Sequence, residues 1–428
     1  MSNRREFLLT TAAAGMGYWV AGGALAKESR SPNERIAFAS IGIDGKGASD
    51  SEDAGRAGDM VAICDVDDHK LDTASQHRFK KAKKFNDFRK MFDEMGKSID
   101  AVTVSTPDHF HAVAAAMALK MKKHCFVQKP MTHSIHEARV LGELARANGV
   151  ATQMGNQGTA NGGLRKAAAA VKAGVLGTVK EVHVWTNRPI WPQGGDRPKP
   201  AEPPQNLHWD LWLGPAPVRP YHPAYCPWTW RNWWDFGTGL LGDLGCHKLS
   251  TVFKALKLGY PTSIEASCTK LSPEIYPLGV IARYEFPARG DMPPLSLTWY
   301  DGGLRPPRPK DLEPGRGMSD VIYIGEKATL MGHRLVPEGK MKSYGRPPKT
   351  LPRSVGHYKE WVDACRGGPP AGANFVDHGG ILTETCMLGN VALRAGEKLN
   401  WDGPNFRITN HERANQYLHR QYRDGWTL

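Results

Sequence analysis

The fold is set by Arg35-Ile36-Ala37-Phe38-Ala39-Ser40-Ile41-Gly42-Ile43-Asp44-Gly45-Lys46-Gly47, an apolar run that ends in a glycine turn. The run predicts a buried strand, and the glycines allow the backbone to approach a pyrophosphate at the N-terminus of the next helix. In the pattern G-x-G-x-x-G, Gly42 and Gly47 match, but Asp44 takes the place of the middle glycine. A carboxylate there would repel a phosphate unless it points away, so a plain glycine turn stays open as an alternative.

A second apolar run ends in a carboxylate. Met60-Val61-Ala62-Ile63-Cys64 leads to Asp65, which stands 23 positions after Gly42. A dinucleotide-binding fold places at this point the acidic residue that accepts hydrogen bonds from the adenosine ribose hydroxyls and disfavours a 2′-phosphate. The alternative is a loop aspartate in one acidic run with Asp67 and Asp68. Taken with the glycine turn, Asp65 predicts NAD as the cofactor, with NADP less favoured.

Strands and helices alternate up to residue 155. The run 99–106 is rich in β-branched residues and stops before Pro107, and the run 151–155 closes the series. This alternation predicts a doubly wound parallel sheet, a Rossmann domain over residues 34–155. His109 and His111 form a pair that could bind a metal, but without a third ligand in the segment we expect packing and helix-start roles.

The strand Phe126-Val127-Gln128 ends in Lys129 and Pro130. A lysine at the carboxyl end of a parallel strand lies at the rim where open α/β sheets bind their ligands. The alternative is a solvated surface lysine that closes a strand. Because of the motifs on either side, we take Lys129 as the chemical centre of the predicted site.

Composition and the first residues indicate the class of protein. A chain of 428 residues, 40% apolar, with seven cysteines that stand singly, predicts a globular protein of two domains with free thiols. Lys and Arg outnumber Asp and Glu by 56 to 43, but no nucleic-acid motif accompanies this excess. Arg4-Arg5 before an Ala/Gly-rich run that ends at Ala24-Leu25-Ala26 indicates a twin-arginine signal peptide over residues 1–26. We therefore expect export to the periplasm or cell envelope, rather than a membrane anchor.

The composition changes in the second part, where we expect an α+β domain over residues 156–428. Eight of the thirteen tryptophans lie between Trp185 and Trp234, among many prolines and glycines. Loops of this kind indicate either irregular packing or a platform for sugar rings. Later apolar runs predict an open, largely antiparallel sheet with strands near 262–270, 280–286, 295–299 and 321–324, followed by helices near 355–366 and 377–396.

These motifs are similar to those of the Gfo/Idh/MocA family, which includes glucose–fructose oxidoreductases and inositol dehydrogenases. The likeness covers nearly the whole chain after the signal peptide, and Gln128-Lys129-Pro130 stands where the family has Glu-Lys-Pro. The resemblance implies that Lys129 is the catalytic acid/base beside the nicotinamide, that the Lys129–Pro130 peptide is cis, and that the chain associates through its second sheet. The amide of Gln128 removes one influence that would hold the Lys129 ammonium protonated, which favours a role as a base.

The segment from Trp228 to His247 resembles the secreted, sugar-directed branch of that family, in which an Asp and a His four residues apart complete the active site. If a helix begins near Leu240, this spacing places Asp243 and His247 on one face. The alternative is a helical Asp–His contact without a catalytic role. The resemblance implies that Asp243 and His247 act together with Lys129.

The expected site has three groups of residues and no metal. The catalytic group is Lys129, Asp243 and His247. The cofactor group is Gly42, Asp44, Gly45, Lys46, Gly47, Asp65, Ser105, Thr106, Pro107, His111, Gln128, Lys129 and Asn156. The substrate group is Gln157, Arg188, Trp191, Trp234, Asp235, His247 and Tyr300.

The sequence thus predicts an exported NAD-dependent oxidoreductase that transfers hydride between a sugar, or a sugar derivative, and a tightly bound cofactor. Outside the cytoplasm no free NAD pool can be assumed, so the cofactor should stay bound and be regenerated in place. One alternative is a redox-neutral NAD-dependent glycosidase that acts by transient oxidation and elimination. A second alternative is a carbohydrate-binding relative without the chemistry, which the departures at Asp44 and Gln128 would allow.

Overall fold

The computed structural model describes residues 35–188, 193–345, 349 and 351–428. The predicted signal peptide, residues 1–26, and the predicted substrate residue Trp191 lie outside the described residues. No helix in the described part is long and apolar enough to cross a membrane.

The first half forms a six-stranded parallel sheet in the order β3-β2-β1-β4-β5-β6. This is the strand order of a doubly wound dinucleotide-binding fold, so the predicted Rossmann sheet is confirmed. Its elements are β1 (Ala37–Ile41), α1 (Lys46–Ala57), β2 (Asp59–Cys64), α2 (Asp68–His77), β3 (Lys83–Phe85), α3 (Phe88–Met95), β4 (Ala101–Val104), α4 (Asp108–Lys120), β5 (His124–Gln128), α5 (Ile135–Asn148) and β6 (Thr152–Gly155).

The strand order reverses between β1 and β4, and the turns that follow these two strands lie side by side. Ser105 N donates to the carbonyl oxygen of Ile41 at 2.8 Å, which brings the residues after β4 against the glycine turn. In open α/β sheets this switch point is where ligands bind. Helix α5 begins at a capping box between Ser134 and Glu137.

The second half forms a nine-stranded sheet in the order β13-β12-β11-β7-β10-β9-β8-β14-β15. Only β7 and β10 pair in parallel among these described strands, so the prediction of a largely antiparallel sheet is confirmed. Its elements are α6 (Gly162–Lys172), β7 (Val179–Trp185), α7 (Trp209–Leu213), α8 (Cys246–Leu256), β8 (Ser263–Cys268), β9 (Val280–Phe286), β10 (Leu295–Tyr300), β11 (Val321–Gly325), β12 (Thr329–Met331), β13 (Arg334–Val336), α9 (Glu338–Tyr344), α10 (His357–Cys365), α11 (Gly380–Ala395), β14 (Leu399–Asp402) and β15 (Arg407–Ile408). The predicted boundary between residues 155 and 156 stays a prediction.

Two helices start with a different geometry from the one that their apolar patterns predict. The helix expected from about Leu240 starts as a single π turn, Leu241–Gly245, before α8. A second π turn, Phe375–Gly379, precedes α11. A π turn closes its hydrogen bonds over one residue more than the α-helix assumed in the spacing argument, and Asp243 acts on His247 as a nearby charge.

Helix α11 joins the two sheets. It packs against α5 of the first half and β8 of the second, and most of its residues are buried. Arg139 of α5 forms an ion pair with Glu384 of α11, with Nε and Oε2 2.6 Å apart, and Trp401 Nε1 donates to the same carboxylate at 3.0 Å. The buried charge of Glu384 is therefore paired and hydrogen-bonded from both halves.

Candidate active site

A cavity of about 440 Å³ lies at the carboxyl edge of the parallel sheet, and residues of both halves of the chain line it. Many of the predicted site residues are in its wall: Gly42, Asp44, Gly45, Lys46, Asp65, Ser105, Thr106, Pro107, Gln128, Lys129, Gln157 and His247. Others stand directly behind the wall and contact it: Gly47, His111, Asn156 and Asp243.

The glycine turn has no room for side chains. Gly42 has φ of 78°, and a Cβ atom there would lie 2.7 Å from the carbonyl oxygen of Ser105. A Cβ atom on Gly47 would lie 2.1 Å from the carbonyl oxygen of Gly42, so the first turn of α1 packs directly on the strand end. The turn therefore presents bare backbone and a helix N-terminus to the cavity, as phosphate binding requires.

Asp44, the departure from the glycine pattern, is paired with a lysine. Its Oδ2 lies 3.2 Å from Nζ of Lys70, a residue of α2. Burial raises the pKa of Asp44, but the Gly45 N–H and Lys70 outweigh burial and leave the pKa below its ordinary value. The carboxylate is thus charged and neutralised by a neighbour, which reduces the repulsion that it would exert on a phosphate.

Asp65 stands at the end of β2 and is held by the backbone. Its Oδ2 accepts from Ile43 N at 3.0 Å and its Oδ1 from Asp67 N at 3.1 Å, so the carboxylate also fixes the glycine turn. Burial raises the pKa of Asp65. Each carboxylate oxygen can accept a second hydrogen bond, so Asp65 can still receive two ribose hydroxyls.

Gln128 contacts a buried carboxylate that the sequence interpretation missed. Asp50, fully buried in α1, accepts from Gln128 Nε2 and from Ser105 Oγ, both at 2.7 Å. Lys46 and Tyr358 donate to its other oxygen. Burial raises the pKa of Asp50, and these donors oppose that effect. The amide at position 128 is therefore the donor that Asp50 requires, where a Glu would present a second carboxylate.

Lys129 is paired across the two halves of the chain. Its ammonium donates to Asp243 of the π turn, and Arg231 Nε lies 3.5 Å from the same carboxylate oxygen. Asp243 thus supplies the negative charge that Gln128 does not. The Lys129–Pro130 peptide is cis, as the resemblance implies.

Asp108 adds a second carboxyl group to this end of the cavity. It is buried, lines the cavity and accepts from Thr238 Oγ1 at 2.6 Å. Burial raises the pKa of Asp108 to about 7, although Lys129, Thr238 and Arg231 act in the opposite direction. A carboxyl group that titrates near neutrality beside Lys129 is able to hold or release a proton.

His247 is oriented by Asn156. The Asn156 Nδ2 donates to the carbonyl oxygen of Cys246 at 2.7 Å, so its Oδ1 is the acceptor for His247 Nδ1, 2.9 Å away. Burial, with the nearby Lys129 ammonium, lowers the pKa of His247 to about 3. The ring is therefore neutral with its proton on Nδ1, and Nε2 is its acceptor.

Two buried polar atoms of the cavity wall lack a partner. Thr106 Oγ1 and Gln157 Nε2 are both inaccessible to solvent and make no hydrogen bond within the described chain. Buried polar groups are almost always paired, so these atoms point to a polar ligand. Together with the bare glycine turn and Asp65, these atoms would hold a dinucleotide at this edge of the sheet.

The imidazole of His111 supports the site from behind. Its two ring nitrogens each lie 2.8 Å from a carbonyl oxygen, one of Pro130 and one of Thr106. His109 is likewise held between the carbonyl oxygens of Phe236 and Trp212. These contacts match the packing role expected for the pair, and His111 ties the ends of β4 and β5 together.

Four predicted substrate residues lie away from the cavity wall. Trp234 Nε1 donates to the Ser272 carbonyl, Asp235 pairs with Arg219, and Tyr300 contacts His183 Nδ1 at 3.1 Å on the half-buried face of the second sheet. Arg188 is exposed after the end of β7. The first three already have a polar partner in the second half, and Arg188 faces solvent.

Several residues of the cavity wall were not predicted from the sequence. Arg231 and Trp228 stand inside the quoted active-site segment, but nothing in their spacing indicates that they face the cavity. Trp426 comes from the far end of the chain and also lines it. The sequence held one clue to Asp50, namely that Gln128 is an amide at a motif position where the family has a carboxylate.

Sequence profiles of an oxidoreductase family match two parts of the chain. The profile of its NAD-binding Rossmann fold matches residues 38–156, and the profile of its C-terminal alpha/beta domain matches residues 163–274.

Solved structures share the fold over most of the chain. The WlbA dehydrogenase from Bordetella pertussis in complex with NADH and UDP-GlcNAcA is 17% identical with a TM-score of 0.61, over 86% of this chain and 99% of that one. The aldose-aldose oxidoreductase from Caulobacter crescentus complexed with glycerol is 15% identical with a TM-score of 0.57, over 86% and 100%. An inositol dehydrogenase homolog from Azotobacter vinelandii complexed with NADH and myo-inositol is 16% identical with a TM-score of 0.56, over 86% and 98%.

A curated relative matches a shorter part. The 2,7-anhydro-N-acetylneuraminate hydratase of Escherichia coli (strain K12) is 30% identical over 96 residues, which are 22% of this chain. The match spans about a quarter of the length of that relative, 26%.

Proposed function

Because the chain belongs to the Gfo/Idh/MocA oxidoreductase family, we propose that it is an exported enzyme that transfers hydride between a hydroxyl-bearing carbon of a sugar derivative and NAD in the cavity. One observation carries the proposal. Lys129, paired with Asp243 behind it, and the neutral ring of His247 line the same cavity, as do Thr106 and Gln157 with their unpartnered atoms Oγ1 and Nε2. Proton transfer at a hydroxyl and hydride transfer at its carbon need such groups together.

The chain's own residues handle the proton. The chemistry that bound NAD would supply is transfer of hydride from or to the carbon that carries the hydroxyl. His247 Nε2 accepts a hydrogen bond from that hydroxyl, because Asn156 holds the ring with Nδ1 as the donor. Lys129, held by Asp243, can give its ammonium proton to the oxygen as a carbonyl is reduced, and in the direction of oxidation its neutral amine form takes the hydroxyl proton. In sum, the C–H and O–H bonds break, and a carbonyl, a reduced cofactor and one proton result.

Asp65 supports NAD over NADP. Its carboxylate lines the cavity at the end of β2, where it suits ribose hydroxyls and repels a 2′-phosphate. Lys70, the nearby cation of α2, already faces Asp44 and is close to Asp65 and Asp67. That cation is therefore surrounded by carboxylates and is poorly placed to receive a phosphate.

A redox-neutral reaction is the second candidate. The curated relative is named a hydratase, and addition of water leaves the oxidation state of the substrate unchanged overall. For this chain the same site would oxidise a sugar hydroxyl to a carbonyl transiently, so that the adjacent carbon loses its proton and the next carbon loses the leaving group. Water would then add to the double bond, and the hydride would return to the carbonyl carbon. Transient oxidation makes the adjacent C–H acidic, so a redox-neutral enzyme should introduce deuterium from D₂O at that carbon, with no acceptor added.

The direct test begins with the nucleotide. Purified protein is denatured and any released nucleotide identified; the native protein is then assayed with a panel of sugars and glycosides, with Lys129→Ala as the control. We expect NAD, and turnover that Lys129→Ala abolishes. Absence of bound nucleotide together with no affinity for added NAD would contradict both enzymatic reactions and favour a carbohydrate-binding relative without chemistry.

Export and assembly complete the proposal. The twin-arginine pattern at Arg4-Arg5 supports export of the folded, loaded protein. Replacing both arginines by lysines should leave the protein in the cytoplasm, which fractionation of cells would detect.

We also propose association through the half-buried face of the second sheet, which carries Tyr300 and the charged residues Glu181 and Arg283. Light scattering of the wild type and an Arg283→Glu variant tests this interface.

A further inference from the structure

Arg231 adds a second cation to the cavity wall at the end where Lys129 lies. Its Nε is 3.5 Å from Oδ1 of Asp243, the same oxygen to which the Lys129 ammonium donates. The side chains of Lys129, Asp243 and Arg231 are only 12%, 13% and 21% exposed. Two cations therefore share one carboxylate oxygen in a place where water and salt screen charge poorly.

The ring of Trp230 holds the guanidinium of Arg231. The guanidinium carbon lies 4.4 Å from the centroid of that ring, and Trp230 is itself buried and lines the cavity. A guanidinium that packs on an indole keeps its charge and its planar set of N–H donors, which match the two oxygens of a carboxylate. The wall thus carries an oriented donor for an anion, one residue after the tryptophan that orients it.

Asp108 offsets only part of the second positive charge. It is buried, and its Oδ2 accepts from Thr238 Oγ1 at 2.6 Å. The charges that act on it are Lys129, Arg231 and Asp243. Burial raises the pKa of Asp108 to about 7, so the carboxyl group is partly protonated at neutral pH. Within the part of the chain that the structure describes, this end of the cavity therefore has an excess of positive charge.

The other cations of the described cavity wall are compensated one by one. Lys70 Nζ lies 3.2 Å from Asp44 Oδ2, and Lys46 donates to Asp50. Each of these lysines has a carboxylate of its own, whereas the two cations beside Asp243 share theirs. An anionic group on a substrate is therefore favoured at the shared carboxylate, where it relieves the repulsion between two like charges.

We propose that Arg231 selects a substrate that carries a carboxylate, so that the sugar derivative is a sugar acid such as a uronate. The inference rests on the proposed function, because the hydroxyl that reacts must lie at Lys129 while the carboxylate accepts from Arg231. A neutral sugar of the same shape would leave the excess positive charge in place. A phosphate ester, with nearly two negative charges, would be repelled more strongly by Asp243 and Asp108 than a carboxylate would be.

The test compares sugars in matched pairs. Glucose and glucuronate form one pair and galactose and galacturonate a second, with glucose phosphorylated at its primary hydroxyl as a further anion. The value of kcat/KM is measured with added NAD, and Kd is measured by calorimetry for a sugar that is not turned over. In the wild type we expect the acid of at least one pair to be favoured about tenfold over its neutral partner, the effect of one charge-assisted hydrogen bond.

Arg231→Gln should bring this acid-to-neutral ratio close to one. Arg231→Lys keeps the charge but not the planar set of donors, and should keep part of the preference. The ratio is the informative quantity because Arg231 also lies near Asp243 and Lys129. A loss that acts through those two residues would lower the values for both members of a pair and leave their ratio unchanged.

Arg305→Gln is the matched control. The Arg305 guanidinium also packs on a tryptophan, 4.8 Å from the Trp185 ring centroid, but Arg305 is exposed and is not part of the cavity wall. This variant should keep the wild-type ratio.

Four results would overturn the inference and leave the proposed function intact. They are equal values within every pair, binding of neither acid, a preference for the phosphate ester over both acids, and an unchanged ratio in Arg231→Gln. A protein that binds no NAD would overturn the proposed function, and the inference with it.

Discussion

Gln128 donates its side-chain amide to the buried carboxylate of Asp50, with Nε2 and Oδ2 2.7 Å apart. This contact accounts for the amide at a position where the family has a glutamate. Gln128→Glu would set two carboxylates against each other in a buried place, and one of them must then hold a proton. The pKa of one of these two carboxyl groups is therefore higher in the folded than in the unfolded state. The variant should keep its stability below about pH 4 and lose it as the pH rises.

We therefore expect Gln128→Glu to lower the free energy of unfolding by about 2 to 4 kcal/mol at pH 8, and by much less near pH 4. Denaturant unfolding at a series of pH values measures this. The double variant Asp50→Asn, Gln128→Glu restores one amide and one carboxylate and should recover most of the loss at pH 8. Equal stability of Gln128→Glu and wild type at pH 8 would contradict the role assigned to Asp50.

Asp243 should act through Lys129. Asp243→Asn removes the charge that holds the Lys129 ammonium, and we expect kcat to fall about 10²-fold with NAD binding unchanged. The double variant with Lys129→Ala should be no slower than Lys129→Ala alone, because both changes affect one unit. The control is Asp363→Asn, which disrupts a solvent-exposed Lys359–Asp363 pair outside the cavity. Additive losses in the double variant would show that Asp243 acts independently.

The bond between Asn156 and His247 predicts a pH profile. Since the pKa of His247 is lowered to about 3 by burial, the wild-type ring stays neutral from pH 5 upward and adds no acid limb. Asn156→Asp places a carboxylate at 2.9 Å from Nδ1, which should raise that pKa and create a loss of activity at acidic pH. Plots of kcat against pH for the two proteins measure the difference. Identical profiles would mean that Nε2 of His247 takes no part.

Asp108 should lower stability as the pH rises from about 4 to 7. Burial raises the pKa of Asp108 from 3.8 to about 7. The stability that the protonated group contributes is therefore fully present below about pH 4 and is lost as the pH rises through 7. The charges that face it are Lys129 and Arg231, which limit the effect, and Asp243, which adds to it. Asp108→Asn, which keeps an acceptor for Thr238, should gain stability relative to wild type between pH 5 and 8, by at most about 4 kcal/mol. A pH-independent difference would contradict this titration.

Local motifs predicted the nucleotide half well. The glycine turn and Asp65 are each defined by residues close in sequence to a strand end, and parallel strands bring such ends to one edge of the sheet. Lys129 could be placed by the same reasoning. The roles of Asp243 and His247 were inferred from the resemblance, because a π turn replaces the regular helical spacing on which the argument from sequence relied.

Long-range packing set the limit of prediction. Trp234, Asp235 and Tyr300 carry suitable chemistry, but the directions of their side chains depend on how the second half packs, and each meets a partner there. Asp50, Trp228 and Trp426 reach the site through contacts with residues far away in sequence. Sequence patterns record periodicity and turns, whereas these contacts arise only when both halves have folded.

The place of Trp426 in the cavity wall bears on the order in which the protein is made. The ribosome completes the strands and glycine turn of the first half long before it reaches Trp426. A nascent first half exposes the end of the cavity that Trp426 later closes, so any nucleotide that it meets can leave again. Closure of that end of the cavity, and firm binding of NAD there, should thus follow translation of the whole chain.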